Sequence, residues 1–320
     1  MPDPKFDVTT FGEMLLRLSV PSGERLETAR RLDIHPAGAE ANVVSLLARL
    51  NRRTLWAGAL PENPMGRLAA NALRSAGVNM DGILWRNSGR MGTYYVEFGV
   101  PPRGIQVTYD RSYSCTTGIQ PEEIDWEKLL DTRVLHLTGI TPALSPACCE
   151  IAGEAIKRAK QRGVFVSFDV NYRQKLWTEM EAKETLLPMI RQADLVFCSQ
   201  ADAVRLFDCH GTMHELAQRL LELIQVPRLV MSFSEEGVLG WDGTEWQQEP
   251  ALRTQIVDRL GAGDALAAGV LYGWLNKDLH AGLRYGVTLA ALALSQNGDM
   301  VITTEAEMLA LSKKSSDLTR

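Results

Sequence analysis

The sequence predicts an α/β protein, with a mostly parallel sheet covered by helices on both faces and a small second sheet projecting from it. Three observations carry this reading. Short apolar runs alternate with helical patterns of ten or more residues, as in successive βαβ units. Two segments interrupt that rhythm with polar/apolar alternation and no intervening helix. The last third turns to successive Ala-rich helices. The composition agrees: 320 residues, 45% hydrophobic and 23% charged, ordinary values that exclude collagen, coiled coil and wholesale disorder. Such a length is ample for a sizeable core and admits one large domain or two smaller ones.

The elements follow in order. Phe6–Gly12 reads as a buried strand ending in glycine, and Ala39–Leu50 as a helix by spacing and Ala/Leu content. Thr54–Leu60 is a strand, and Met65–Ala76 a helix closed by Gly77. Val134–Leu137 leads to a helix at Pro146–Arg162, ended by Gly163. Val164–Val170 precedes a helix at Glu181–Gln192, Leu195–Ser199 a helix at Met213–Ile224, and Arg228–Phe233 is a further strand. Gly263–Trp274 and Ala281–Ser295 are the two late helices, whose Ala-rich faces suit close packing. The interrupting segments are Met14–Val20 with Arg31–His35, and Thr93–Gly99 with Ile105–Asp110. Their alternation suits a small antiparallel sheet with one open face; edge hairpins of the main sheet are the alternative. Lys313–Arg320 reads as a disordered tail.

A net charge of −5 without a basic run argues against nucleic-acid or membrane-surface binding. An anionic ligand would need a few placed groups. Cys115, Cys148, Cys149, Cys198 and Cys209 are odd in number and form no CxxC pair, which argues against a disulfide framework or zinc site and fits a reducing cytoplasm. The start lacks the apolar core of a signal peptide, and Val287–Leu294 is far too short to span a membrane.

The strongest chemical signal is Ile256-Val-Asp-Arg-Leu-Gly-Ala-Gly-Asp264, leading into an apolar helix. Small residues at a helix start let free backbone N–H groups point outward together, an anion site reinforced by the helix dipole. Asp264 in the first turn is either a charge favourable to that dipole or a carboxylate placed to take the proton of an attacking hydroxyl. The pattern is not a P-loop and does not sit where a dinucleotide fingerprint should.

VDRLGAGDALAAG resembles the C-terminal signature of the ribokinase-like (PfkB) carbohydrate kinases. Pro36-Ala-Gly-Ala-Glu-Ala-Asn42 resembles the family's N-terminal glycine motif, with Ala37 in place of the usual first glycine and Gly38 retained. The resemblance runs from Phe6 to about Met308 and implies a single kinase domain over 1–320. Its fold would be a three-layer α/β/α ribokinase-like body with a small β-sheet lid formed by 13–36 and 92–114. It implies ATP-dependent phosphorylation of a sugar hydroxyl, with Asp264 as catalytic base and the amides of Gly261, Ala262 and Gly263 holding the charge of the transferring phosphoryl group. Magnesium would travel with ATP.

Within the family, Thr93-Tyr-Tyr95, Val107-Thr-Tyr-Asp-Arg111 and Asp169-Val-Asn-Tyr-Arg-Gln-Lys-Leu-Trp177 are similar to 2-keto-3-deoxygluconate kinases. The resemblance puts Tyr94, Tyr109, Arg111, Arg173 and Asp299 on the substrate, with Gly38 and Asn42 lining it. A guanidinium fork suits the carboxylate of an aldonate; the plain alternatives are solvated arginines and lid-core tyrosines. Sequence leaves open which of Tyr94 and Tyr95 faces inward. On the nucleotide side, Ser232, Ser234 and Gly237 fall in the family's turn beside the nucleotide, and Asn171 and Ser199 would face the phosphates. The family's NxxE element appears as Ser199-Gln-Ala-Asp202, so Asp202 is a candidate metal contact or simply a helix N-terminal charge. The resemblance also implies a monovalent-cation site, as in some relatives, to which Asp258 and the backbone near Ile256 would contribute. Other substrates on the same fold (2-ketogluconate, fructose, ribose, a nucleoside) and a non-catalytic sugar sensor are the rivals; a sensor would have no need of Asp264. A one-face-open lid leaves apolar surface that a second copy would cover, giving a homodimer.

Overall fold

A computed structural model describes residues 3–317. The chain runs β1 (Phe6–Phe11), β2 (Leu15–Ser19), β3 (Asp33–Ala37), α1 (Ala39–Arg49), β4 (Thr54–Pro61), α2 (Pro64–Ala76), β5 (Asn79–Arg86), β6 (Gly92–Glu97) and β7 (Gln106–Asp110). It continues through α3 (Trp126–Leu129), β8 (Thr132–Thr138), α4 (Pro146–Arg162), β9 (Phe165–Asp169), α5 (Glu179–Ile190), β10 (Leu195–Ser199), α6 (Gln200–Phe207) and α7 (Met213–Ile224). Then come β11 (Leu229–Ser232), β12 (Val238–Trp241), β13 (Trp246–Glu249), α8 (Ala262–Leu275), α9 (Leu279–Leu294) and α10 (Glu305–Asp317).

Local chemistry explains the helix ends. Asn63 caps α2 by accepting from the N–H groups of Met65 and Gly66, and Gly77 ends it at φ 94°. Thr178 and Glu181 form a capping box, so α5 starts two residues before the periodicity suggested. Nine strands form one sheet in the order β13-β12-β11-β10-β9-β8-β1-β4-β5. Strands β5 to β11 in that order are parallel, and the β11–β12 and β12–β13 pairs are antiparallel. Successive residues serve opposite faces: Val134 packs with Val44, Leu47, Val270 and Leu283, whereas Leu135 packs with Ile151, Ala155 and Ile156. Two helical layers therefore sandwich the sheet, each with its own apolar cluster.

The small sheet has the order β3-β2-β6-β7 and is a separate sheet, not a set of edge hairpins. It is mixed, not antiparallel: β2 pairs with β6 in parallel, and only the outer pairs are antiparallel. The connectivity accounts for this. Strands β1 and β5 point the same way in the large sheet, so the strands that leave their ends run outward together, and each returns through its own hairpin. The inner face buries Leu15, Ala37, Tyr94 and Val96 against Phe98, Val107, Tyr109 and Leu260. The outer face carries a groove lined by Leu18, Leu26, Ile34 and Tyr95.

The tail differs from expectation. Helix α10, started where Thr304 accepts from the Glu307 N–H at 3.2 Å and anchored by the fully buried Met308, runs through Asp317; residues 318–320 lie outside the described residues. All five cysteines are free thiols. Among the described residues no helix is long and apolar enough to cross a membrane.

Helices α8 and α9 meet backbone to backbone. A Cβ on Gly269 would lie 2.4 Å from the Gly286 nitrogen, and one on Gly273 would lie 2.3 Å from the Gly282 Cα. By contrast, a Cβ on Gly153 in α4 would touch only the Met189 methyl, at 3.8 Å. In urea unfolding, Gly269→Val is expected to cost roughly 2–4 kcal/mol by forcing the helices apart. Gly153→Ala is expected to add about 0.5–1 kcal/mol. Equal effects of the two would refute the close-packing account.

Candidate active site

Polar side chains gather beyond the carboxyl ends of the parallel strands, under the inner face of the small sheet. This is where loops of an open α/β sheet converge. Helix α8 starts here. Its N-cap is Gly261, at φ 83°, and no side chain caps its first turn. A Cβ at Gly261 would strike the Asp299 carbonyl oxygen at 2.4 Å, so conformation and space both demand glycine there. A Cβ at Gly263 would meet nothing within 4 Å. The uncapped first-turn amides thus border open space on the Gly263 side, the arrangement that binds anions.

Asp264 sits in that turn, 9% exposed, and accepts a hydrogen bond of 2.7 Å from Asn42 Nδ2 on α1. Burial pushes its carboxyl up to about 7; the Asn42 bond and the field of Arg173 oppose this, and Asp299 and Glu40 add to it. Asp169 ends β9 and is pushed up to about 8, first by burial and then by Asp264 and Asp202. Asn171, at φ 41°, donates to Asp169 Oδ2 at 3.2 Å. Arg173, two residues on, is exposed, and its charge lowers the pKa of all three aspartates. It makes no ion pair among the described residues, so its guanidinium is available to an anion.

The other expected substrate contacts are also brought together. Tyr94 faces inward, 5% exposed, and donates from its hydroxyl to Asp299 Oδ2 at 2.6 Å. Tyr95 faces the outer groove. The Tyr94 and Tyr109 rings lie 5.6 Å apart, and the Arg111 guanidinium lies 5.5 Å from the Tyr109 ring. Arg111 is not the free fork that its sequence suggests. Its Nε and Nη2 both donate to the buried Glu13 carboxylate, which Ser114 also contacts, and this occupies one edge of the guanidinium. Gly38 precedes α1 where a Cβ would lie 2.3 Å from the Glu13 carbonyl oxygen.

Of the three residues expected beside a nucleotide, Ser232 ends β11, Ser234 lies in the exposed turn that follows, and Gly237 closes it at φ 98° with no room for a Cβ. Ser199 is the N-cap of α6, accepting from the Asp202 N–H at 3.0 Å. Asp202 lies in the first turn of that helix, where burial raises its carboxyl, and accepts from Tyr172 N–H at 3.4 Å. Among the described residues no three acidic, histidine or cysteine side chains form a metal cage. Asp258 does not present a vacant carboxylate to a monovalent cation: it accepts from the Arg17 guanidinium and from the N–H groups of Leu260 and Gly298.

Arg17, Glu13, Glu40 and Asp169 were not singled out as site residues from sequence. Glu40 is fully buried and accepts from the hydroxyls of Thr138 (2.8 Å) and Thr141 (2.6 Å), with Gly12 leaving space for its carboxylate. The available signal was a charge inside an apolar or small-residue stretch, as in FGEMLLRLS and AGAEAN.

A sequence model described as "pfkB family carbohydrate kinase" matches residues 5–306. The chain belongs to that family. This carbohydrate kinase is 34% identical over 303 residues to a 2-dehydro-3-deoxygalactonokinase of Haloferax volcanii, covering 94% of this chain and 95% of the relative. It resembles the crystal structure of a 2-dehydro-3-deoxygluconokinase from Thermotoga maritima with a TM-score of 0.90 and 31% identity, over 96% of this chain and 98% of that one. A 5-dehydro-2-deoxygluconokinase of Listeria monocytogenes is 25% identical over 298 residues, covering 92% of this chain and 91% of the relative.

The electrostatics of the kinase can be measured directly. With ¹³C-labelled aspartate, one carboxyl should titrate near 7, far above the ordinary range, and be lost in Asp264→Asn. Asn42→Ala should move it higher, because the lost hydrogen bond favoured the ionised form. A downward shift would contradict the assigned geometry.

Proposed function

We propose that this kinase transfers the γ-phosphoryl group of ATP to the terminal hydroxyl of 2-keto-3-deoxygluconate (2-dehydro-3-deoxygluconate). The observation that carries this reading is the convergence of an uncapped helix N-terminus, a buried carboxylate in its first turn and an unpaired guanidinium on one opening. Asp264 takes the hydroxyl proton. The amides of Gly261, Ala262 and Gly263 stabilise the charge that develops on the transferring group, which positioning and electrostatics alone can accomplish. Arg173 and the remaining Nη1 of Arg111 hold the sugar carboxylate, while Tyr94, Tyr109 and Asp299 flank its carbon chain. Gly38 and Asn42 close the far wall.

The turn from Ser232 through Ser234 to Gly237 seats the nucleotide, and Asn171 and Ser199 lie on the phosphate side. The residues fit a divalent cation travelling with the phosphates: burial raises both Asp169 and Asp202, and the charges of Asp264 and Asp202 raise Asp169 further. Asp202 and Asp169 would hold Mg²⁺, completed by phosphate oxygens and water as hard cations prefer. When bound, the ion supplies charge neutralisation between donor phosphates. The Haloferax relative's name supports a second reading, in which the galactonate epimer is the better acceptor.

An ADP-release assay over both 3-deoxy epimers, 2-ketogluconate, fructose and ribose tests the substrate. The 3-deoxy acids should be preferred, and turnover of fructose or ribose with no aldonate would overturn the proposal. Arg173→Ala should raise KM for the acids roughly 10- to 100-fold, with far less effect on any neutral sugar.

Asp264→Asn should lower kcat roughly 100- to 10,000-fold while leaving sugar binding measurable by calorimetry. Because the base acts ionised, kcat/KM for the sugar at saturating ATP should fall with decreasing pH, with a midpoint at or above about 7. An acid limb at the ordinary carboxylate pKa would remove Asp264 from that role.

A further inference from the structure

Arg17 is an arginine without solvent. It lies on β2 of the small sheet with 0% exposure, above the Phe98 ring at 5.2 Å. Its side chain points inward because it shares a face with Leu15 and Ser19, and its register partner on β6 is Tyr94. Nη1 donates to Asp299 Oδ1 at 2.9 Å, and Nη2 donates to Asp258 Oδ2. Each carboxylate then holds something else. Asp258 accepts from the Leu260 N–H at 3.0 Å and the Gly298 N–H at 3.1 Å, pinning the loop that enters α8 to the 297–299 turn. Asp299 accepts from the Tyr94 hydroxyl, and its carbonyl oxygen abuts Gly261, the N-cap of α8.

We propose that Arg17 is a positioning residue for phosphoryl transfer: its guanidinium ties the small sheet to both segments that frame the anion-binding helix, so that seating the sheet and shaping the anion hole are one event. The inference rests on the proposed kinase mechanism for its catalytic consequence, but the mechanical tie is independent of the substrate. Arg17 does not serve as a substrate fork, since both of its terminal nitrogens are engaged. Two buried carboxylates share one cation here. Without it they are left unneutralised, a far more costly state than a broken surface pair. The loop before Gly261 and the Tyr94 hydroxyl would then lose their common anchor, and small displacements of catalytic groups are expensive in rate.

The test uses the full-length chain and guanidinium ion as the probe. Arg17→Ala leaves a guanidinium-sized space between two carboxylates. It should lose about 100-fold in kcat on the best sugar of the panel. Low millimolar guanidinium chloride should restore part of that rate, matched sodium chloride should not, and wild type should be indifferent. Amide hydrogen exchange without substrate gives the second readout: 92–97 and the Asp258-bonded amides of Leu260 and Gly298 should lose protection together and regain it with guanidinium. Unchanged protection at Leu260 and Gly298, or kcat within about threefold of wild type, would overturn the proposal. Exchange coupling without any sugar turnover would leave the tie standing and fail only the kinase reading. If Arg17→Ala does not fold, Arg17→Lys decides: it keeps the charge but reaches one carboxylate, so about a tenfold loss of kcat is expected, and full activity refutes the role.

Discussion

Charge buried beside an opening is the constraint on which the rest of this structure depends. An anion site of the kind proposed needs positive potential, yet Glu13, Glu40, Asp258, Asp264 and Asp299 gather there, all largely shielded from water. Each is reconciled with its surroundings differently. Arg111 neutralises Glu13, hydroxyls satisfy Glu40, Arg17 bridges Asp258 and Asp299, and Asp264 has a single amide donor from Asn42. The least compensated of these is Asp264, which is why its proton affinity rises most usefully towards neutrality.

The same constraint ties the small sheet to the rest of the molecule. Its strands deliver two arginines whose partners lie elsewhere in the chain. Arg17 reaches Asp258 and Asp299 of the C-terminal third, and Arg111 reaches Glu13 at the end of the first connection. The apolar inner face with Tyr94, Val96 and Leu260 excludes water from those pairs, which strengthens them. Glycine does the complementary work: Gly12, Gly38 and Gly261 stand where a methyl group would collide with a carboxylate or carbonyl of the same assembly.

Much of the fold was legible because it rests on local patterns. Period, capping residues and terminal glycines located helices such as α2 and α4 to within a residue or two. Strand β5 and the short α3 and α6 went unread. Strand β5 is half-buried with several polar residues and lacks clean alternation, and a helix of one or two turns is below the length at which periodicity speaks. Among the grouped polar residues, Asp264, Asn42 and Tyr94 were legible through motifs. Arg17 was not, since an arginine between leucines in an alternating strand reads equally well as the solvent side.

By itself the sequence determined the α/β class, the two-sided sheet, the small-residue entry to α8 and the carboxylate in its first turn, because these follow from periodicity and backbone sterics within a few residues. Only the tertiary structure decided that the small sheet is mixed, that Tyr94 and not Tyr95 faces the opening, that Arg111 is half engaged and that Ser199 is a cap. The physical reason is common to all four. Strand direction, side-chain facing and ion pairing depend on which distant segment arrives alongside, and a charge declares its partner only when burial makes being without one too costly.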